Sequence, residues 1–219
     1  MTSSSAHPGS TDRTRIRRLP ERAVSDMETV HEILDAALIA HLGLADGEQP
    51  FVLPVAFARM GDSVVFHGSS GSRLMRGLAA GAPCCLTVTC LDGLVVARSA
   101  FESSMNYRSV VALGTCRVLD GAEAVDALEA ITEHLTPGRW AGYRAPTAKE
   151  IAATLVLELT LDECSAKVRT GDPQDLPEDN EAFPGMWCGV VPMTESFGEP
   201  VTAAYCAADV PAGVRAWAR

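Results

Sequence analysis

From residue 38 onward the sequence adopts the two-residue period of strands and is punctuated by paired glycine and aspartate. Residues 38–45 lead to Asp46-Gly47, residues 51–59 lead to Gly61-Asp62, and residues 63–67 follow. Turns of that composition join neighbouring strands, so the pattern predicts an antiparallel meander. Strands resume over 84–91, turn at Asp92-Gly93 and return over 94–100, and a long strand occupies 107–119. Residues 154–161 form the last strand, resuming through 167–169. Many antiparallel strands with few helices favour closure into a barrel, which leaves no exposed edge. The expected fold is mainly β, a six-stranded antiparallel barrel flanked by short helices.

The helical signals are brief. Ser25, with Glu28 three residues on, opens a helix whose Met27, Val30, Ile33, Leu34 and Leu38 recur at helical spacing. Residues 73–80 read as a short helix stopped by Gly81 and Pro83. Asp120 can cap a helix over 122–134 with Val125, Leu128, Ile131 and Leu135 on one face, followed by a loop holding Pro137, Gly138 and Pro146. Residues 1–22 carry Arg13, Arg15, Arg17, Arg18 and Arg22 and read as a flexible basic arm. Residues 23–170 make the barrel domain, and 171–219, rich in proline and glycine, an extended segment wrapping the barrel or a partner.

A formal net charge of −10 over 219 residues excludes sequence-independent binding to nucleic acid or anionic lipid, which both require a net basic face. No apolar run approaches the roughly 20 residues of a membrane helix. The start lacks the apolar stretch of a secretory signal, so a cytoplasmic protein is expected. The seven cysteines contain no CxxC pair, which argues for buried thiols and against a metal site or a disulfide framework.

Three stretches carry candidate chemistry. In the first, Phe66-His67-Gly68-Ser69-Ser70-Gly71-Ser72-Arg73, a strand delivers small residues to a helix start. Backbone amides, the Ser69 and Ser72 hydroxyls and the Arg73 cation suit a phosphate, and His67 stands beside them. In the second, Asn106, Tyr107, Arg108 and Ser109 enter a strand and place donors on both faces, enough for a phosphate and the edge of a heterocycle. In the third, Trp187 is flanked by glycines in an irregular tail, where an aromatic side chain anchors the segment or walls a planar ligand.

Together these stretches, in this order between residues 17 and 192, resemble the FMN-binding split β-barrel family of pyridoxamine 5′-phosphate oxidase-like proteins, in its nitroimidazole-resistance reductase branch. The resemblance implies a homodimeric split barrel with FMN held between subunits. Phe66, His67, Ser69, Ser72, Arg73, Asn106, Arg108, Ser109 and Trp187 would bind it, and His67 and Tyr107 would orient or protonate a small-molecule substrate. Cys188 stands where the oxidases have the first glycine after the tryptophan, and no paired Arg and His for pyridoxal phosphate is present, so vitamin B6 oxidation is not expected. The implied activity is oxidoreduction, moving electrons from reduced nicotinamide to a nitro- or quinone-like acceptor. Two other readings remain open: a haem protein with His67 as axial ligand, and a non-catalytic flavin-binding or regulatory module. A deazaflavin could use the same loop as FMN.

Overall fold

In the computed structural model, which describes residues 7–217, a capped helix leads into the sheet. This first helix, α1 (Met27–Ala36), is capped by Asp26 rather than Ser25, the carboxylate accepting from Thr29 N at 2.8 Å. Its Val30, Ile33 and Leu34 are fully buried. The strands that follow are β1 (Ile39–Asp46), β2 (Gln49–Met60) and β3 (Ser63–Ser69), then α2 (Arg73–Ala79), β4 (Cys84–Val96), β5 (Ser104–Gly114) and β6 (Arg117–Leu119). Next come α3 (Gly121–Leu135), α4 (Ala148–Ala152), β7 (Thr154–Thr160), β8 (Cys164–Arg169), α5 (Pro177–Ala182), β9 (Gly189–Pro192) and α6 (Ala212–Arg215). Among the described residues no helix is long and apolar enough to cross a membrane.

The strands order as β6-β7-β3-β2-β1-β4-β5-β8, all antiparallel, with β9 beside β4. Two strands turn the corners of the split barrel. β2 pairs with β1 through Gln49 to Ala56 and with β3 through Phe57 to Met60. The long strand expected over 107–119 breaks at Thr115-Cys116, so that β5 pairs with β4 and β8 while β6 pairs with β7. The interior holds Leu42, Phe57, Phe66, Leu86, Val110 and Leu157 beneath α1. A second cluster lies outside, where Ala124, Ala127 and Ile131 of α3 cover Ala58, Val65 and Val156. The described residues form nine strands where six were expected, because the long strand divides, β8 stands alone and the tail contributes β9.

Asp92-Gly93 is not a hairpin turn. β4 continues through it with a register shift between Leu91 and Gly93, a β-bulge. β1 pairs with β4 up to Thr87, and β9 takes the same edge from Gly93 to Val96. A Cβ on Gly93 would lie 3.0 Å from the Val191 carbonyl oxygen, so the glycine is there for the close approach of another backbone. Gly93→Ala is expected to push β9 off and cost about 1–3 kcal/mol, as overpacking does. Urea denaturation, with proteolysis at residues 189–192, measures both effects.

The segment read as a flexible arm is, from residue 7, a strap laid along β8; residues 1–6 lie outside the described residues. Gly9 N donates to Cys164 O at 2.7 Å, Val24 N to Ala166 O at 3.0 Å, and Lys167 Nζ to Arg18 O at 2.9 Å. Thr14, within the strap, is buried. These are largely backbone bonds, which a reading of side-chain pattern does not register.

Candidate functional site

Strand alternation decides what β3 offers. Val64 and Phe66 point into the barrel, whereas Val65 and His67 point out beside α3. Phe66 has no exposed surface, so its expected contact with a cofactor is corrected: it is a core residue. The loop after β3 uses its own polar groups. Ser69 Oγ accepts from Gly71 N at 3.2 Å, and Ser72 Oγ accepts from Met75 N at 3.4 Å to cap α2. Arg73 Nε lies 3.0 Å from Asp46 Oδ2, and its guanidinium sits 5.6 Å from the centre of the Phe51 ring. A Cβ on Gly68 would meet Met75 Cγ at 2.8 Å, which explains the glycine by packing.

His67 opens onto a cavity of about 410 Å³ lined by Leu128 and Thr132 of α3 and by Trp140, Tyr143, Arg144, Pro146, Glu150 and Thr154. Two carboxylates shape its wall. Glu133 accepts from Gly138 N at 2.5 Å and Trp140 N at 2.6 Å, while Glu150 pairs with Arg144 at 2.8 Å and accepts from Thr147 N at 2.8 Å. Backbone amides hold the Glu133 carboxyl below its ordinary range, and Arg144 first, then Thr147, do the same for Glu150. Both contribute stability that is complete above the unfolded carboxylate range and lost as pH falls through the native values. Below about pH 4, amide exchange at Gly138 and Trp140 should therefore accelerate relative to the barrel.

Among the described residues nothing hydrogen-bonds to the His67 ring. Desolvation by the surrounding protein lowers its pKa, although the ring is exposed at the cavity mouth. The imidazole is therefore neutral at neutral pH, with a nitrogen lone pair directed to no protein group. Sequence reasoning missed the cavity wall, which lies in what reads as an ordinary loop. The available signal was Trp140 and Tyr143 three residues apart between glycines and prolines in a protein with few aromatics.

The second stretch divides. Arg108 faces another cavity, of about 490 Å³, lined with Leu38, Cys90, Asp92, Met193, Ser196 and Phe197, and its Nε and Nη2 fork onto Asp92 at 3.0 and 2.8 Å. Asn106 is buried; its Nδ2 donates to Gly171 O at 3.1 Å and its Oδ1 accepts from Arg169. Tyr107 stands opposite Arg169 in the ladder and is half-buried. Ser109 lines a third cavity with Arg17, Arg18 and Lys167. Trp187 is 63% exposed, and a Cβ on Gly189 would meet its ring at 3.0 Å. One chain thus distributes the expected site residues over separate surfaces.

Haem needs an axial donor, apolar faces for the macrocycle and a cation near its propionates. His67, then Leu128, Trp140 and Tyr143, then Arg144 supply that set around one cavity, so the residues fit. A flavin phosphate fits at Ser69, Ser72 and Arg73 by exchanging Asp46 for the ligand at the Arg73 guanidinium.

The chain matches the family described as pyridoxamine 5′-phosphate oxidase over residues 26–168. No curated protein matches it. Among solved structures, an FAD and haem binding protein from Mycobacterium smegmatis is 43% identical, with a TM-score of 0.84 over 89% of this chain and 96% of that one. The flavocytochrome Anf3 from Azotobacter vinelandii is 42% identical, with a TM-score of 0.87 over 93% of this chain and 95% of that one. A candidate 5-nitroimidazole antibiotic resistance protein from Bacteroides thetaiotaomicron shares the fold at 20% identity, with a TM-score of 0.57 over 67% of this chain and 86% of that one. The split barrel, the order of its strands and the match along most of its length all agree: the chain belongs to the pyridoxamine 5′-phosphate oxidase family.

Proposed function

We propose that this protein binds both a haem and a flavin and is an oxidoreductase that moves electrons between them. The observation that carries the reading is His67, an imidazole without a hydrogen-bond partner among the described residues, at the mouth of an aromatic-walled cavity. The two relatives above 40% identity, described as FAD- and haem-binding and as a flavocytochrome, support it. When bound, the haem supplies one-electron chemistry and the flavin both one- and two-electron chemistry.

The chain's own residues bind and orient. His67 offers a ring nitrogen to the metal, Trp140 and Tyr143 exclude water from one side, and Arg144 supplies a cation at the rim that Glu150 keeps in place. The flavin expected from the sequence is FMN. We assign FAD, because the Mycobacterium smegmatis relative is described as binding it and both flavins present the same ring and first phosphate. Reduced nicotinamide is the electron donor to assay first. An absorption spectrum of the purified protein, followed by denaturation and chromatography of what is released, tests the assignment. A Soret band with released FAD supports it; a protein that takes up neither haem nor flavin on reconstitution overturns it.

The same proposal includes a homodimer. Ile39, 47% exposed, and Val52, 65% exposed, lie with Pro54 on one outer face of β1 and β2, an apolar strip that a second copy would cover. Sedimentation should return about twice the 23.1 kDa chain mass, and Val52→Asp should shift it to the monomer.

A further inference from the structure

Among the described residues one pair of sulfurs lies at hydrogen-bond distance: Cys84 Sγ and Cys116 Sγ are 3.6 Å apart. Cys84 opens β4 and is 7% exposed in the barrel core, and Cys116 packs against it, half-buried, between exposed Thr115 and Arg117. The ladder explains why they meet. Cys84 stands opposite Gly114, the last residue of β5, and Cys116 follows two residues later, in the break where the chain passes on to β6 in the other sheet. Cys85, next to Cys84, stands opposite Leu113 and points to the other face of β4.

Contact between the two thiols separates their roles. The hydrogen bond from Cys116 draws the Cys84 thiol below its ordinary range, against the opposing effect of burial. The same bond, together with burial, holds the proton on Cys116 and raises its pKa. Burial is the first cause that pushes up Cys85, Cys90 and Cys164, which lack such a neighbour. One sulfur therefore favours the thiolate, the form that reacts, and the second stands where it can attack the product. Cys116 lies between strands and Cys84 follows the irregular Ala82-Pro83, so the pair can close to the roughly 2.05 Å of a disulfide.

We propose that Cys84 and Cys116 are a peroxide-responsive thiol pair, which a hydroperoxide converts reversibly into a disulfide that pins the corner between the two sheets. The pair goes beyond the haem and flavin reading and does not depend on it. The Cys84 thiolate attacks one peroxide oxygen; the O–O bond breaks, a sulfenic acid forms, and the first water leaves with the thiol proton. The Cys116 sulfur then attacks the Cys84 sulfur; the S–O bond breaks, the S–S bond forms, and the second water carries off the Cys116 proton. Both thiols together give up two electrons and two protons, and hydrogen peroxide is reduced to water. The new bond ties the start of β4 to the crossing point between sheets and closes the loop of residues 84–116, which restricts the unfolded chain more than the native one.

The test is to expose the reduced full-length protein to hydrogen peroxide under native conditions, alkylate it, and map its peptides by mass spectrometry without reductant. The expected product joins the peptides that carry Cys84 and Cys116, with two of the seven thiols and about 2 Da of intact mass lost, and dithiothreitol restores both. Its melting temperature should rise by roughly 5–15 °C, as closure of a loop of that length requires. Cys116→Ser should stop at a sulfenic acid on Cys84, captured by dimedone, and Cys84→Ser should leave Cys116 a free thiol. If either variant fails to fold, the wild-type map decides alone. Oxidation of exposed Cys206 or of any other cysteine while Cys84 and Cys116 stay free overturns the proposal. So does a link that forms only after unfolding in urea, or one that leaves the melting temperature unchanged.

Discussion

On the proposed haem reading, His67→Ala is expected to abolish haem retention, with affinity falling by more than about a hundredfold, because it would remove the proposed metal donor rather than a group that orients one. The ring makes no hydrogen bond to any described residue and is exposed near the end of β3, so the melting temperature of the haem-free protein should barely move. The readout is the Soret band of the variant after reconstitution; an unchanged band would assign the ligand elsewhere. The pH dependence follows from desolvation, which places the native pKa of His67 below the ordinary value. The unfolded chain takes up a proton at this residue below about pH 6.5 while the native imidazole remains neutral, so acidification from that point destabilises the fold. Haem should dissociate once pH falls through the lower, native value, because the proton and the metal compete for one nitrogen.

Phe66→Ala is expected to cost about 3–5 kcal/mol, a large share of the roughly 5–15 kcal/mol that holds a domain together. Phe66 sits opposite Phe57 in the β2–β3 ladder, and neither ring has any exposed surface. Truncation leaves a cavity where the corner strand packs into the barrel. Trp187→Ala, at a site mostly open to solvent, should stay within about 0.5 kcal/mol. Urea unfolding of both variants separates the two cases. A Phe66→Ala variant of wild-type stability and reduced flavin affinity would restore Phe66 to the cofactor site.

The residues that made the sequence legible were those whose chemistry acts locally. Asp46-Gly47 and Gly61-Asp62 form the expected connections, with Gly47 and Gly61 both at positive φ. The apolar face of α1 and the strand-to-helix junction at Ser72 also follow from nearest neighbours. Asp92-Gly93 carries the same letters as a hairpin turn, but its meaning is set by Val191, a residue almost a hundred positions away. The family resemblance places Phe66 together with His67 at the cofactor, although alternation sends the two side chains to opposite faces. The arginines of the strap look solvated because the backbone that fixes them bonds to β8, a partner no local pattern names. The cavity beside His67 is assembled from α3, a loop and α4, and its organising carboxylates, Glu133 and Glu150, resemble ordinary surface acids until their acceptor bonds are seen.

Because β2 belongs to both sheets, and the chain that leaves β5 in one enters β6 in the other, neither sheet can open without pulling on the other. Closure also waits for β7 to find β3 and β6, so chain near residue 65 must meet chain near residue 158 before the second sheet exists. Such distant pairing makes the search slow, and it leaves little that can form partway. Loosening is then confined to the margins, where the strap, the 136–147 loop and β9 can detach singly while the barrel melts as one cooperative unit.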